Sequence, residues 1–224
     1  MDPQNKLLSR GPRFRMDAEM IRDTALAVSG LLVSKIGGPS VRPYQPLGVW
    51  EAVAMPGSNT RNYVTDKGEG LYRRSLYTFL KRAAPPPNME TFNATAREVC
   101  TVRRERTNTP LQALVTLNDP QFVEAARMLA TSLLLDKSVG TDVSNRTQWL
   151  AHKLVGRPFR VEEIHIVQTG WFDLYEYFKQ NPDGAKALLA VGETKSDASL
   201  DAAELAAWTM MVNQLLNLDE VLNK

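Results

Sequence analysis

The hydrophobic and polar positions of this chain fall into two patterns, and they divide it near residue 108. From residue 109 onward, apolar residues recur at intervals of three and four, the period of one helix face. Phe122, Val123, Ala126, Leu129, Ala130, Leu133 and Leu134 form one stripe. Trp149, Leu150 and Leu154 mark a second helix, closed by Gly156 and Pro158. Ile164, Val167, Trp171, Leu174 and Phe178 step along a third, and Leu205, Trp208, Val212, Leu215 and Leu216 along a last one. Between these, Asp183 is expected to cap a short helix through Ala190, and "GETKSDAS" (192–199) reads as a flexible polar loop. Before residue 109 the clearest helical spacing is that of Met20, Ile21, Ala25, Val28, Leu31 and Leu32, which predicts a helix from an Asp17 cap to about Ser34. That reading places Ser29 mid-helix, and "GGPS" (37–40) is the expected stop.

Residues 37–70 are rich in Gly, Pro and Asn and predict a long structured loop, with Tyr44, Trp50 and Tyr63 available to pin it to the body. "LYRRSLYTFLKRA" (71–83) fits a helical face at Tyr72, Leu76, Phe79 and Leu80, although Tyr, Thr and Phe also suit a strand; helix is the expectation. "PPP" (85–87) predicts an extended, polyproline-like segment. Two helix starts follow. Thr109-Pro110-Leu111-Gln112 carries a cap, a proline at the first helical position and a glutamine three after the cap, and Asp119-Pro120 repeats the cap-plus-proline device. Asp201-Ala-Ala-Glu204 has the form of a capping box. The fold class expected is mainly α: an irregular helical domain with a long Pro/Gly-rich loop, a helix-plus-loop part over 1–108 and a helical part over 109–224.

Composition adds bounds. The chain has 224 residues, 43% hydrophobic and 23% charged, which is ordinary globular content. One cysteine forms no internal disulfide, so the fold does not depend on oxidation. A net charge of +2 argues against general nucleic-acid binding, but the charge is uneven. Residues 73–106 hold eight basic residues against three acidic ones, a local +5, leaving −3 for the remainder. No apolar run approaches a membrane span, and "MDPQNKLLSRGPRFR" (1–15), in a basic and irregular opening over 1–16, has no apolar core after its charges, unlike a secretory signal.

Candidate chemistry concentrates in "REVCTVRRERTNTP" (97–110), where Arg97, Arg103, Arg104 and Arg106 surround Cys100. Arg73 and Arg74 are candidates for the same patch. Three readings are open. Arginines paired with Glu69, Glu98, Glu105 or Asp119 would lock the segment to the fold. Unpaired, Arg73, Arg74, Arg97, Arg103, Arg104 and Arg106 would bind an anion or a partner, since guanidinium forks onto carboxylate, phosphate or sulfate. Least supported is a reactive Cys100 thiolate stabilised by the nearby cations, because no histidine lies close in sequence. The two histidines, His152 and His165, form no metal-binding pattern; no metal site is expected, and Cys100 lacks the Cys-x-x-Cys-His spacing of covalent haem. No Gly-x-Ser-x-Gly elbow or phosphate-binding glycine loop occurs.

The segment "YRRSLYTFLKRAAPPPNMETFNATAREVCTVRRERTNTPLQALVTLNDPQFVEAARMLA" (72–130) resembles the signature of the C-terminal domain of unknown function in planctomycete cytochrome-c-domain-containing proteins. The blocks at 10–32, 37–51 and 204–220 resemble its earlier and terminal parts. The resemblance implies a C-terminal fragment of a larger protein, exported to the periplasm, envelope or exterior. Haem would sit in a separate N-terminal module, with no cofactor in this chain. It implies partners among the other domains of that protein, and no catalytic residue. The function expected is a non-catalytic interaction or scaffold domain. The alternative is a hydrolytic or binding domain acting on anionic polysaccharide, which as an enzyme would need two carboxylates converging in a cleft.

Overall fold

Ten α-helices and two short 3-10 turns make up the regular structure of the computed structural model, which describes residue 2, residues 4–11 and residues 13–223. Residues 1, 3 and 12 of the basic opening expected over 1–16 therefore lie outside the described residues. The helices are α1 (Ala18–Val28), α2 (Glu69–Tyr72), α3 (Pro87–Thr91), α4 (Pro110–Asn118), α5 (Pro120–Leu135), α6 (Val143–Leu154), α7 (Val161–Gln180), α8 (Pro182–Leu189), α9 (Ala202–Leu216) and α10 (Asp219–Leu222). Among the described residues there is no β-sheet, only four isolated bridges.

Helix α9 is the centre of the core. Leu205, Trp208, Val212, Leu215 and Leu216 are buried as their spacing predicts, but so are Ala206, Ala207, Thr209 and Asn213 on its other faces. A helix buried all round must be surrounded, and α5, α7 and α8 pack on it. Trp208 meets Trp171 of α7 with ring centroids 5.3 Å apart, and Trp171 stacks on Tyr175 at 5.2 Å. Truncating a fully buried tryptophan costs about 3–5 kcal/mol, so this aromatic column is a main source of cohesion. A second apolar cluster joins α1, α3 and the start of α5 through Ile21, Ala25, Met89, Phe92 and Phe122. The two ends of the chain close it: Met16 donates its N–H to the Leu222 carbonyl, and both side chains are buried there.

Several local expectations are corrected. Helix α1 stops at Val28, well short of Ser34, because Gly30 turns left-handed (φ +76°) and the N–H groups of Leu31 and Leu32 both return to the Leu26 carbonyl. Ser29 is thus the C-terminal cap, not a mid-helix residue. Segment 71–83 is not a helix. Arg22 of α1 takes the carbonyls of Leu71 (2.6 Å) and Arg73 (2.8 Å), and the Ser75 N–H donates to Asp23 at 2.8 Å. The acceptor and donor of the next helical turn are therefore occupied by α1. The chain ends α2 at Tyr72, makes one 3-10 turn (Ser75–Tyr77) and runs extended, with the Phe79 N–H on the Val41 carbonyl. Pro87 is not extended but is the first residue of α3.

At the Thr109 start the capping pair does not form. Thr109 makes no side-chain cap, and Gln112 is buried, donating to Thr91 O and Thr107 Oγ1. Asp119 does cap α5, accepting from the Gln121 N–H, and Asp201 caps α9 through Glu204 N, although the Glu204 side chain turns to Arg146. Asn181, not Asp183, caps α8.

Candidate functional site

From Ser29 to Gly68 the only helical element is the 3-10 turn Glu51–Val53. Trp50 anchors this segment, 1% exposed, with Tyr63 edge-on at 4.8 Å and the Lys81 ammonium 5.1 Å from its ring. The segment lies against residues 71–79, and that contact decides the fate of the two adjacent arginines. Arg73 points inward. Its guanidinium donates to the carbonyls of Lys35, Gly37 and Pro39 and sits 3.8 Å from the Tyr77 ring centroid. Arg74 is exposed and lies 3.5 Å from Asp23.

Residues 94–109 form no helix, so Arg97, Cys100 and Arg103 share no helical face. Arg104 binds Glu19 of α1 with both guanidinium nitrogens, at 2.5 and 3.0 Å. Burial alone would raise the Glu19 carboxyl. The hydrogen bonds and charge of Arg104, aided by Arg97, override it and hold Glu19 below the usual range. The same hydrogen bonding raises Arg104. Arg97 is exposed at a left-handed φ of +60°, and Arg103 is exposed; among the described residues neither has an ion-pair partner within 4 Å. Arg106 lies over Phe14 at 5.1 Å. Cys100 is a free, exposed thiol.

An open groove of about 870 Å³ runs between α1 and the 73–77 turn. It brings together Arg74, Arg97 and Arg104, facing Asp17, Glu19 and Asp23. Arg73 is buried, and neither it nor Arg103, Arg106 or Cys100 lines the groove. Nor do the carboxylates that the sequence offered as partners: Glu69, Glu98 and Glu105 are exposed elsewhere, and Asp119 lines a separate apolar cleft of about 510 Å³ beside Tyr44. Burial raises the Asp119 carboxyl against its bonds from Gln121 and Asn88. The acids that do face the arginines are Asp17, expected only as the cap of α1, and Glu19 and Asp23 within α1. With both signs on its walls and half-open geometry, the groove can hold a charged group in a fixed orientation.

The most buried polar constellation was not legible as a site. Glu124 and Arg127 of α5 are both 0% exposed and 3.7 Å apart. Glu124 accepts from the hydroxyls of Tyr72 (2.9 Å) and Tyr44 (3.0 Å) and from the Thr194 N–H (2.7 Å). Arg127 donates to the Val191 carbonyl at 3.2 Å, while its Nε and Nη1 have no partner. Burial raises both tyrosine hydroxyls and lowers Arg127. The polar loop at 192–199 is thus fastened at its start rather than free: Gly192 turns at φ +90° and the Glu193 N–H donates to Tyr44 Oη. His152 and His165 are exposed, and no group of three or more His, Cys, Asp or Glu side chains suited to a metal occurs among the described residues.

A family model whose description reads "PSD1: Protein of unknown function (DUF1553)" matches residues 1–171. The chain belongs to this family. PSD1 proteins are associated with planctomycete cytochrome-c-domain proteins. The matched span includes the arginine segment, the groove and Glu124–Arg127; α8, α9 and the 204–220 block lie beyond it. A search of the curated proteins and a search of the solved structures each returned no match. No helix among the described residues is long and apolar enough to cross a membrane.

Proposed function

We propose that this PSD1 chain is a non-catalytic interaction domain of an exported, multidomain bacterial protein that also carries a cytochrome-c-like module. Its groove receives an anionic group of a neighbouring domain or ligand. The observation that supports this reading is the convergence of Arg74 with Arg97 and Arg104 of the 97–110 segment on one open groove walled by α1. The Arg104–Glu19 pair fixes the wall, and Arg97 is left without an ion-pair partner to meet the incoming charge. In this reading residues 1–224 form one domain, a C-terminal piece of the parent, with the helix-plus-loop part (1–108) presenting the groove and the helical part (109–224) supporting it. Haem belongs to the separate module, nucleic acid is not a partner, and the site of action is extracytoplasmic.

The test is sedimentation velocity of this chain mixed with the separately produced haem-bearing module, at low and high salt. Association that weakens with salt and is lost in R74Q/R104Q is the expected result. No association at either salt overturns the reading.

A further inference from the structure

A smaller cleft of about 440 Å³ adjoins the groove, on the far side of Tyr77. Ser40, Thr78, Arg82 and Arg97 supply its polar lining, and no carboxylate lines it. This separates it from the groove, whose lining includes Asp17, Glu19 and Asp23. Arg82 is exposed and, like Arg97, has no ion-pair partner within 4 Å among the described residues. The extended run at 77–79, paired to Val41 by the Val41 N–H and carbonyl, holds Thr78 at the cleft. Thr78 is 7% exposed, and its hydroxyl is closed off from solvent with no hydrogen-bond partner. A buried hydroxyl without a partner is costly unless something supplies one. Arg97 takes a left-handed backbone conformation unusual for a residue with a β-carbon, and its side chain borders both the groove and the cleft.

We propose that this cleft binds a tetrahedral oxyanion, a phosphate or sulfate group, between the guanidinium groups of Arg82 and Arg97, with the hydroxyls of Thr78 and Ser40 as further donors. Two guanidinium forks and two hydroxyls match an acceptor-only group with several oxygens, and the absence of a lining carboxylate leaves that charge unopposed. The volume exceeds that of a bare anion, so a monoester fits with its organic part against Leu76 and Leu80. The inference rests on the proposed anion-facing role of this surface and assigns it a ligand class and an additional arginine.

Isothermal titration calorimetry of the full chain, at ionic strength held constant with sodium chloride, tests it with four probes: sodium phosphate, sodium sulfate, glucose 6-phosphate and glucose 6-sulfate. Saturable binding of at least one is expected. Tighter binding of the sugar esters identifies a monoester site; equal binding of the bare ions identifies a free-anion site. R82Q and R97Q each weaken it about tenfold or more, T78V weakens it severalfold, and R103Q, exposed and outside the cleft, leaves it unchanged. If T78V fails to fold, the two arginine variants carry the test, since both side chains are exposed. No saturable binding of any probe overturns the inference, as does an equal loss in R103Q and R97Q. Oxyanion binding fails while salt-sensitive association with the haem-bearing module persists if only the ligand assignment is wrong; both fail if the anion-facing reading is wrong.

Discussion

Gly192 lies against the carboxylate of Glu124 so closely that a β-carbon at this position would stand 2.3 Å from Glu124 Cδ. Its φ of +90° is itself unfavourable for any other residue. Gly192→Ala is expected to lose about 2–4 kcal/mol of stability, by strain and by lifting the 191–194 turn from its contacts with Arg127 and Tyr44. Gly57→Ala is the control. It shares the positive φ (+84°) but faces open space, so only about 1 kcal/mol is expected. Urea midpoints of the two variants separate the clash from the backbone term.

Arg73 and Arg74 are neighbours with opposite surroundings, and their variants should differ accordingly. Arg73→Ala leaves three loop carbonyls without their donor and opens space beside Tyr77, a cost of about 3 kcal/mol. Arg74→Ala removes only an exposed contact to Asp23 and is expected to stay within about 0.5 kcal/mol. Lys at position 73 should not rescue, because one ammonium cannot reproduce the planar fork that spans Lys35, Gly37 and Pro39. Chemical denaturation monitored at the tryptophans measures all three.

The two Xaa-Pro helix starts look alike in sequence and differ in structure. Asp119→Ala removes the side-chain cap of α5 and should cost about 1–2 kcal/mol. Thr109→Ala removes no cap bond and is expected to be near neutral, within about 0.5 kcal/mol. Thermal unfolding midpoints of the pair suffice as a readout.

Acid should weaken the fold partly through Glu163. Two hydrogen bonds from Arg157, then the Arg160 N–H, hold its carboxyl at about 2, below the usual 4.5. A carboxylate lowered in the folded state contributes stability above its unfolded pKa and loses it as pH falls through the folded one. Its contribution is therefore full at neutral pH and declines from about 4.5 down to about 2. Glu19, also lowered, acts in the same direction. Denaturation midpoints of wild type and Glu163→Gln should differ most at neutral pH and converge in acid; a gap that does not narrow contradicts the assignment.

The C-terminal helices were legible because their apolar stripes repeat with the helical period, and Trp171, Trp208 and Leu205 are buried as that period requires. The 71–83 stretch was not, because its conformation is set by Arg22 and Asp23, some fifty residues earlier, which capture its backbone groups. Gln112 illustrates the same limit: its spacing is right for a cap, but Thr91 and Thr107 claim its amide. Glu124–Arg127 was hidden for a different reason. As an acid–base i,i+3 pair it has the same sequence form as Glu176–Lys179 and Asp183–Lys186, which are exposed. Only the fold, by laying Tyr44, Tyr72 and residues 191–194 over it, makes it interior. Of the candidate site, the arginines were visible and their partners were not, since Asp17, Glu19 and Asp23 meet them only through tertiary packing.

The seam between Met16 and Leu222, reinforced by the Arg13–Asp219 pair, joins residues 206 positions apart in the chain. Closing a loop of that length costs chain entropy that only an already formed core repays, and the Arg15–Asn223 bridge with buried Met16 and Leu222 is what closes the α1 cluster. The groove wall that α1 provides is therefore expected to be fixed late in folding, after the helices around α9 have packed.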